Sequence, residues 1–572
     1  MNQCIDDEQS TAPEVAKLTP MGAHGTELAA GASLLLAACG GGGGDTATGA
    51  AVVPPPVVLA PAPTDAEASR FLAQASMGST RSEMASVKSS GYAAWIDAQF
   101  ALAPGTTRWD WLIAAGYDAA ANKNSEAGFD AAVWKKLLTG PDTLRQRVTL
   151  ALSEITVVAI DGLVGGGWRA FSAAAYFDLL EANAFGNYRT LLGQLSTSAP
   201  MGQFLTFRGN VKYNPTTSAL PDENYARELM QLFSIGLVQL NLDGTPRLVN
   251  GAPQDTYTLD DITGLARIFT GWDFDLAGGD TSTPAFLRRP MIQIASRHET
   301  GASSFLGITV PAGLNGADSL KLALDTIFAH PNVAPFISRQ LIQKLVTSNP
   351  SPAYVGRIAS VFRNDGSGTA GNLQAVIRAL LLDTEARQSG SGSAGASGYG
   401  RLREPILRFT AWARAWNASS PSNGWAIGNT SDPGTRLGQS PGRAASVFNF
   451  YRPGYVPPNS GVASAALVAP EFQLTNESSV VGYVNYMQRI VSAGVGDVKA
   501  DYATVLGLAD TAPALVAEVN LVLAAGQIGT DNLKLISDAI GAMAGGTDTA
   551  RNNRVYAAIT LVLAAPEFLV QK

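Results

Sequence analysis

Cysteine and histidine are almost missing from this chain of 572 residues. Its two cysteines are Cys4 and Cys39, so neither a disulfide framework nor a cysteine-rich zinc site can be built. Its three histidines are His24, His298 and His330, and no H-E-x-x-H stretch occurs. A three-histidine metal centre is therefore excluded in any form that has shed the N-terminus. Charge is scarce as well. Asp, Glu, Lys and Arg make up 15% of the chain, against a usual ~25%. The net charge of −7 is mild, and there is no block of Lys and Arg to neutralise phosphates, which excludes nucleic acid as a partner class.

What the chain has is length and apolar content. Hydrophobic residues reach 46%, enough for a large core and, by length alone, for two or more domains. The N-terminus reads as an address. The run "ELAAGASLLLAA" at 27–38 has the length of a signal h-region and is too short for a permanent span. Leu36-Ala37-Ala38-Cys39 looks like a bacterial lipobox, with Cys39 as the lipidated residue. One feature departs from that pattern: Lys17 is the only basic residue nearby, and Glu27 sits against the apolar run. The expected organisation is a signal peptide over 1–39, then a Gly/Pro-rich tether over 40–64. Export to the cell envelope, or secretion, follows, and the membrane is met through the N-terminal lipid alone.

From Thr64 onward the apolar spacing is three and four, which predicts helices. Thr80-Arg81-Ser82-Glu83 and Thr258-Leu259-Asp260-Asp261 are capping-box signatures, and Gly91 reads as a helix stop. Strand signals are few: a hairpin over 204–215 turning at Gly209-Asn210, and a short β segment in "FLGITVPAG". The fold class expected is mainly α: a large multi-helix globular body with long irregular loops and at most a small β-hairpin or sheet. Residues 388–400, "QSGSGSAGASGYG", read as a Gly/Ser linker between helical parts 65–387 and 401–572 of one domain. The stretch 419–459 reads as a long loop.

Several motifs fail on context. G-x-G-x-x-G occurs at 366–371 and at 390–395, but neither match sits between a strand and a helix, as a dinucleotide site requires. G-x-S-x-G occurs at 438–442, yet no histidine follows Ser440, and Pro441 removes an oxyanion-hole N–H. The densest charge lies in "PDENYARELMQLFSIG", 221–236. A helix starting at Pro221 or Asp222 would bury Ala226, Leu229, Met230 and Phe233. It would let Glu223 pair with Arg227, and Asn224 with Glu228, four residues apart. Capping and ion pairs explain that stretch without function. Alternatively, Asn224, Glu228 and Gln231 share one face and, with Tyr225 and Arg227, line a polar pocket. His298 beside Glu299 is the second candidate, as a base or as a ligand of a single divalent cation. His330 before Pro331 reads as a structural helix end.

The stretches "RFLAQASMGSTRSEM", "NYARELMQLFSIGL", "YTLDDITGLARIFTGW", "RHETGASSFLG" and "LGQSPGRAASVFNFYRPGYVPP" give the chain a resemblance to the bacterial "domain of unknown function 1800" proteins. The resemblance covers nearly everything from about residue 65 onward. It implies an exported helical protein whose gene neighbours one for an exported phosphatase/sulfatase-like protein, a candidate partner. It singles out Asn224, Arg227, Glu228, Arg267, Trp272 and His298; where this chain has Glu299 the family often has Asp.

Two functional readings stand at this point. In one, the body binds an extracytoplasmic partner protein or a surface polymer, with aromatic contacts from Trp425, Phe448, Phe450, Tyr451 and Tyr455 of the long loop. In the other it is an extracytoplasmic hydrolase whose acid/base or metal-ligand set comes from Glu223, Glu228, Asp261, His298 and Glu299.

Overall fold

The computed structural model describes residues 61–388 and 398–572. The expected signal peptide, the Cys39 lipidation site and nearly all of the tether lie outside the described residues, as does most of the expected linker at 388–400. Among the described residues there are 23 helices and four two-stranded antiparallel sheets, so the fold is mainly α. No helix among them is long and apolar enough to cross a membrane.

Local chemistry explains where helices begin and end. Thr64 caps the helix Asp65–Ala75 in a reciprocal box with Glu67, and Thr258 does the same with Asp261 for the helix Leu259–Ala266. Thr80 caps the helix beginning at Arg81, and Gly91, at φ 79°, breaks the run that follows. The short β segment forms: Ser303–Phe305 pairs with Ile308–Val310. Its turn residues Leu306 and Gly307 both have positive φ, the conformation a tight two-residue hairpin loop needs.

The hairpin expected over 204–215 does not form. Its backbone groups are satisfied from other segments: the Gly209 amide donates to the Trp272 carbonyl at 2.7 Å, and the Lys212 amide to the Arg297 carbonyl at 2.8 Å. Leu205 and Phe207 pack into the helical core whereas Val211 and Tyr213 stay exposed, so the segment has no covered hairpin face.

The helical stretches on either side of residues 389–397 share one core. A continuous cluster of buried apolar side chains runs from Ala68 to Phe568, and Pro61–Lys572 forms one compact unit. Trp134 packs edge-on against Phe409 with ring centres 5.0 Å apart, and its indole N–H donates to the Gly428 carbonyl at 3.1 Å. Arg443 forks onto Asp130 at 2.9 and 3.0 Å. Near the C-terminus, Val570–Gln571 pairs with Arg401–Leu402. The Gln571 amide group then donates to the Leu345 carbonyl at 2.9 Å, at the end of the helix Val333–Leu345.

At this junction lies a buried ionic network that spans the two stretches. The Arg401 guanidinium donates to the Lys344 carbonyl and to Glu404, and lies 3.0 Å from Glu471. Lys344 Nζ lies 3.1 Å from Glu154 and 4.0 Å above the Tyr451 ring. Gln439 donates to Glu404 at 2.8 Å. Burial would lower the pKa of Arg401, but Glu471 and Glu404 more than offset it and hold the guanidinium charged. Burial, with the nearby Glu404 carboxylate, pushes Glu154 up to about 8 against the pull of Lys344, making it the readiest acid here to take a proton. Removing Arg401 would strand two buried carboxylates. Arg401→Met is therefore expected to destabilise the fold by about 3–5 kcal/mol, read as a fall in the denaturant midpoint. An unchanged midpoint would show that the junction does not depend on this charge.

Candidate functional site

The charged stretch 221–236 folds as a short helix, Asn224–Gln231, that starts later than the sequence suggests. Pro221 and Asp222 belong to the preceding loop. The Asp222 amide donates to Asn210 Oδ1 at 2.9 Å, and its carboxylate accepts from the Thr206 hydroxyl at 2.7 Å and from the Asn224 amide at 2.8 Å. Asp222 thus ties the loop to the first turn. Ala226, Leu229, Met230 and Phe233 are fully buried, as their spacing requires.

Tyr225, proposed as a pocket contact, and Trp272, singled out by the family resemblance, are core residues. Tyr225 is 1% exposed, stacked on Phe207 with ring centres 4.3 Å apart, and its hydroxyl is 2.7 Å from that of Ser196. Trp272 is buried, and its indole N–H donates to the Ile268 carbonyl at 3.3 Å. Aromatic burial outweighs any polar display in both, since each ring hides a large apolar area and its polar edge has a partner inside.

Arg227 of the helix is paired, and Glu228 is not. Arg227 and Glu223 meet at 3.1 Å, and Glu223 also accepts from the Thr263 hydroxyl at 2.6 Å. The Asn224 side chain turns to Thr206 at 3.4 Å, and no bond to Glu228 forms. Glu228 is buried with Oε2 unpartnered; burial raises its pKa, and Arg227 opposes that. Tyr257 also has an unpartnered hydroxyl, pushed up to about 12 by burial and then by the charge of Glu228.

His298 sits at the far end of the neighbouring helix. It is 2% exposed. Its Nδ1 is 3.1 Å from the Thr270 carbonyl and 3.2 Å from the Thr270 hydroxyl. That hydroxyl donates its one proton to the Arg267 carbonyl at 2.7 Å. Nδ1 must then carry the proton and donate to the Thr270 carbonyl, which leaves Nε2 as a buried lone pair without a partner. Burial lowers the His298 pKa, so the ring is neutral. The Thr270 hydroxyl also accepts the Glu299 amide at 2.8 Å. Glu299 meets Arg267 at 3.4 Å and the Gly301 amide at 3.0 Å. Burial would raise Glu299, but the Gly301 amide and Arg267 hold it below the usual range. Arg267 is held in turn by the Ala302 carbonyl at 2.9 Å.

The structure therefore brings His298, Glu299 and Arg267 together and leaves Glu228 elsewhere. Glu228 neighbours Tyr257, before the helix Leu259–Ala266, whereas Thr270 and His298 lie after it. That helix has eight residues, about 12 Å of separation along its axis. The cavity beside His298 and Glu299 has a volume of about 10 Å³, room for one water at most. Asp261 is committed to its cap and to the Leu306 amide at 2.6 Å. Among the described residues no group of three or more His, Cys, Asp or Glu is disposed to hold a metal ion.

The long loop also departs from expectation. Tyr451 is buried, its hydroxyl 3.3 Å from Glu154 inside the junction network, and Trp425 is buried too. Both are packing residues because the loop lies over the core. Phe450 and Tyr455 are half-buried, and Phe448 is exposed with the Arg452 guanidinium 5.4 Å away. Ser440 is buried, its hydroxyl accepting the Thr430 amide at 3.2 Å, so no nucleophile is presented there. The ionic network itself went unseen in the sequence. Its one local signal was Arg401-Leu402-Arg403-Glu404, a dense charge run just after the Gly/Ser stretch.

A family model described as "Protein of unknown function (DUF1800)" matches residues 70–570. The chain belongs to this family. No curated protein and no solved structure matches it. The DUF1800 match crosses the 389–397 stretch, as does the packing of the core.

Two outcomes are expected of this DUF1800 chain. The folded pKa of His298 lies below the unfolded value of about 6.5. Below about pH 6.5 the unfolded chain takes a proton that the buried ring refuses, so stability falls with falling pH. In urea melts, the advantage of the native chain over His298→Gln should shrink between about pH 8 and pH 5. Gly264 faces Ser304, whose carbonyl oxygen would lie 1.9 Å from an added Cβ. Gly264→Ala should therefore cost about 1–3 kcal/mol or more in a denaturant melt, by forcing the hairpin off the helix Leu259–Ala266.

Proposed function

We propose that the protein is an exported, lipid-tethered binding module whose helical body holds another extracytoplasmic protein. The address at residues 1–39, with Cys39 as the lipidated residue, supports the location. One observation carries the binding reading: the segments beside the helix Asn224–Gln231 leave large apolar side chains in water. Val211, Tyr213 and Leu220 precede that helix and Leu237 follows it on loops, Leu248 lies in a two-residue strand, and Leu259 opens the next helix; all are exposed. Exposed apolar side chains gathered along the segments that flank a largely buried helix suit a protein partner. The partner to which the family resemblance points is the exported phosphatase/sulfatase-like protein encoded nearby. A surface polymer is the less favoured ligand, because the loop aromatics Trp425 and Tyr451 that would have stacked on sugars are buried.

The hydrolase reading rests on the free lone pair of His298 and on the raised Glu228. It is weaker, because these groups flank opposite ends of a helix and the space beside His298 takes one water.

The test is a binding titration of the full-length matured chain against the purified neighbouring product, with native protein and the double variant Leu220→Asp/Leu259→Asp. The reading expects saturable binding by the native chain and a loss of roughly tenfold or more in the variant, whose substituted side chains already face water. No binding by the native chain, or equal binding by both, contradicts it.

A further inference from the structure

The C-terminal part of the body contains an apolar cavity of about 250 Å³ between the helices Pro405–Ala415 and Glu477–Ala493 and the segment ending at Val570. Leu402, Leu437, Phe472, Val484 and Leu569 are among its walls. One cation reaches it. Arg408 lines the cavity and is 7% exposed. Its Nε donates to the Arg403 carbonyl at 2.6 Å, and its guanidinium lies 4.9 Å from the centre of the Tyr483 ring.

The two terminal nitrogens of Arg408 have no hydrogen-bond or ion-pair partner among the described residues. Nor are they sealed within protein, as the unpartnered nitrogens of Arg147 and Arg403 are. They open on the cavity. Three other buried guanidiniums are neutralised: Arg108 by Asp178 and Glu181, Arg401 by Glu404 and Glu471, Arg443 by Asp130. Among the described residues Arg70, Arg147 and Arg403 are likewise buried without a carboxylate partner, but Arg408 alone of this group lines an apolar cavity of this size. The carboxylate that acts on Arg408, Glu404, is bonded to Arg401 and Gln439 and makes no ion pair with it. A buried cation without a directly bonded counter-charge is costly, and a planar fork of N–H groups fits a carboxylate bidentately. The Thr475 hydroxyl also lines the cavity.

We propose that this cavity binds a small amphipathic monoanion, a carboxylate with a compact apolar body, paired to Arg408. One guanidinium neutralises one negative charge, and the remaining walls offer almost nothing to a second. At ~30 Å³ per water the volume equals roughly eight waters, which suits a molecule of about ten non-hydrogen atoms. Phosphate or another small polar anion would satisfy the guanidinium but leave the apolar walls unfilled. The site is separate from the segments beside the helix Asn224–Gln231, so it stands or falls independently of the partner proposed above.

The test is calorimetric titration of the full-length matured protein with octanoate, using 1-octanol and inorganic phosphate as probes of the two halves of the interaction. Octanoate is expected to bind at one site, and both controls to bind at least about tenfold more weakly. Arg408→Gln should weaken octanoate by roughly tenfold or more while leaving 1-octanol unchanged. Should Arg408→Gln fail to fold, Val480→Trp serves. Val480 lines the cavity yet is 50% exposed, so a larger ring there can fill the cavity from its rim and should abolish octanoate binding. The proposal is overturned if the native chain does not bind octanoate, if 1-octanol binds as tightly, or if neither variant weakens it.

Discussion

The side chain of Arg401 has no exposed surface, and a guanidinium so placed must find every partner inside the fold. It finds them on three separate segments: the Lys344 carbonyl at the end of one helix, Glu404 just ahead of another, and Glu471 beyond the long loop. Glu154, Lys344, Gln439 and Tyr451 extend the network. No one of these segments can be placed without the others. The strand Arg401–Leu402 is pinned, so its pairing with Val570–Gln571 is pinned, and with it the end of the chain against the helix Val333–Leu345. A network of this kind contributes less net stability than an apolar core of equal volume. What it supplies is register: an arrangement that leaves one member unpaired carries a buried charge.

The same rule separates structure from function elsewhere in the molecule. In the helix Asn224–Gln231 and around His298, nearly every charge has met a partner. Glu223 holds Arg227 and Thr263, Glu299 holds Arg267, and Thr270 fixes the His298 ring. These groups stiffen the ends of the helix Leu259–Ala266 and brace the hairpin that leans on Gly264. Function then falls to what the packing leaves unmet. Two features fit: the apolar side chains on the flanking segments, and the Arg408 guanidinium opening on an apolar cavity.

Much of the fold was legible in the sequence. The period of three and four, the Thr caps and the stop at Gly91 are short-range physics, and they appear as expected. The β character of the 305–313 segment was legible, but its folding back into a 303–310 hairpin at Leu306-Gly307 was not read. The 204–215 segment misled because its backbone partners lie some 60 to 85 residues further along the chain, and Leu205 and Phe207 are buried while Val211 and Tyr213 are left in water. At the candidate site, the Glu223–Arg227 pair could be read from spacing alone. The burial of Tyr225, Trp272 and Tyr451 could not, since an aromatic residue reads alike in a core and on a surface. Beyond the charge run Arg401-Leu402-Arg403-Glu404, the Arg401 network was invisible because its members come from five distant stretches, and no local pattern identifies the partners of a long-range ion pair.

Cleavage within the chain tests the account most directly. A protease site placed in the Gly390–Gly395 stretch would cut the covalent link between the segments that Arg401 joins. The account predicts that the two pieces of the nicked protein stay together under native conditions and unfold in a single transition, as buried charges shared between them require. Separation of the pieces into independently folded halves would contradict it.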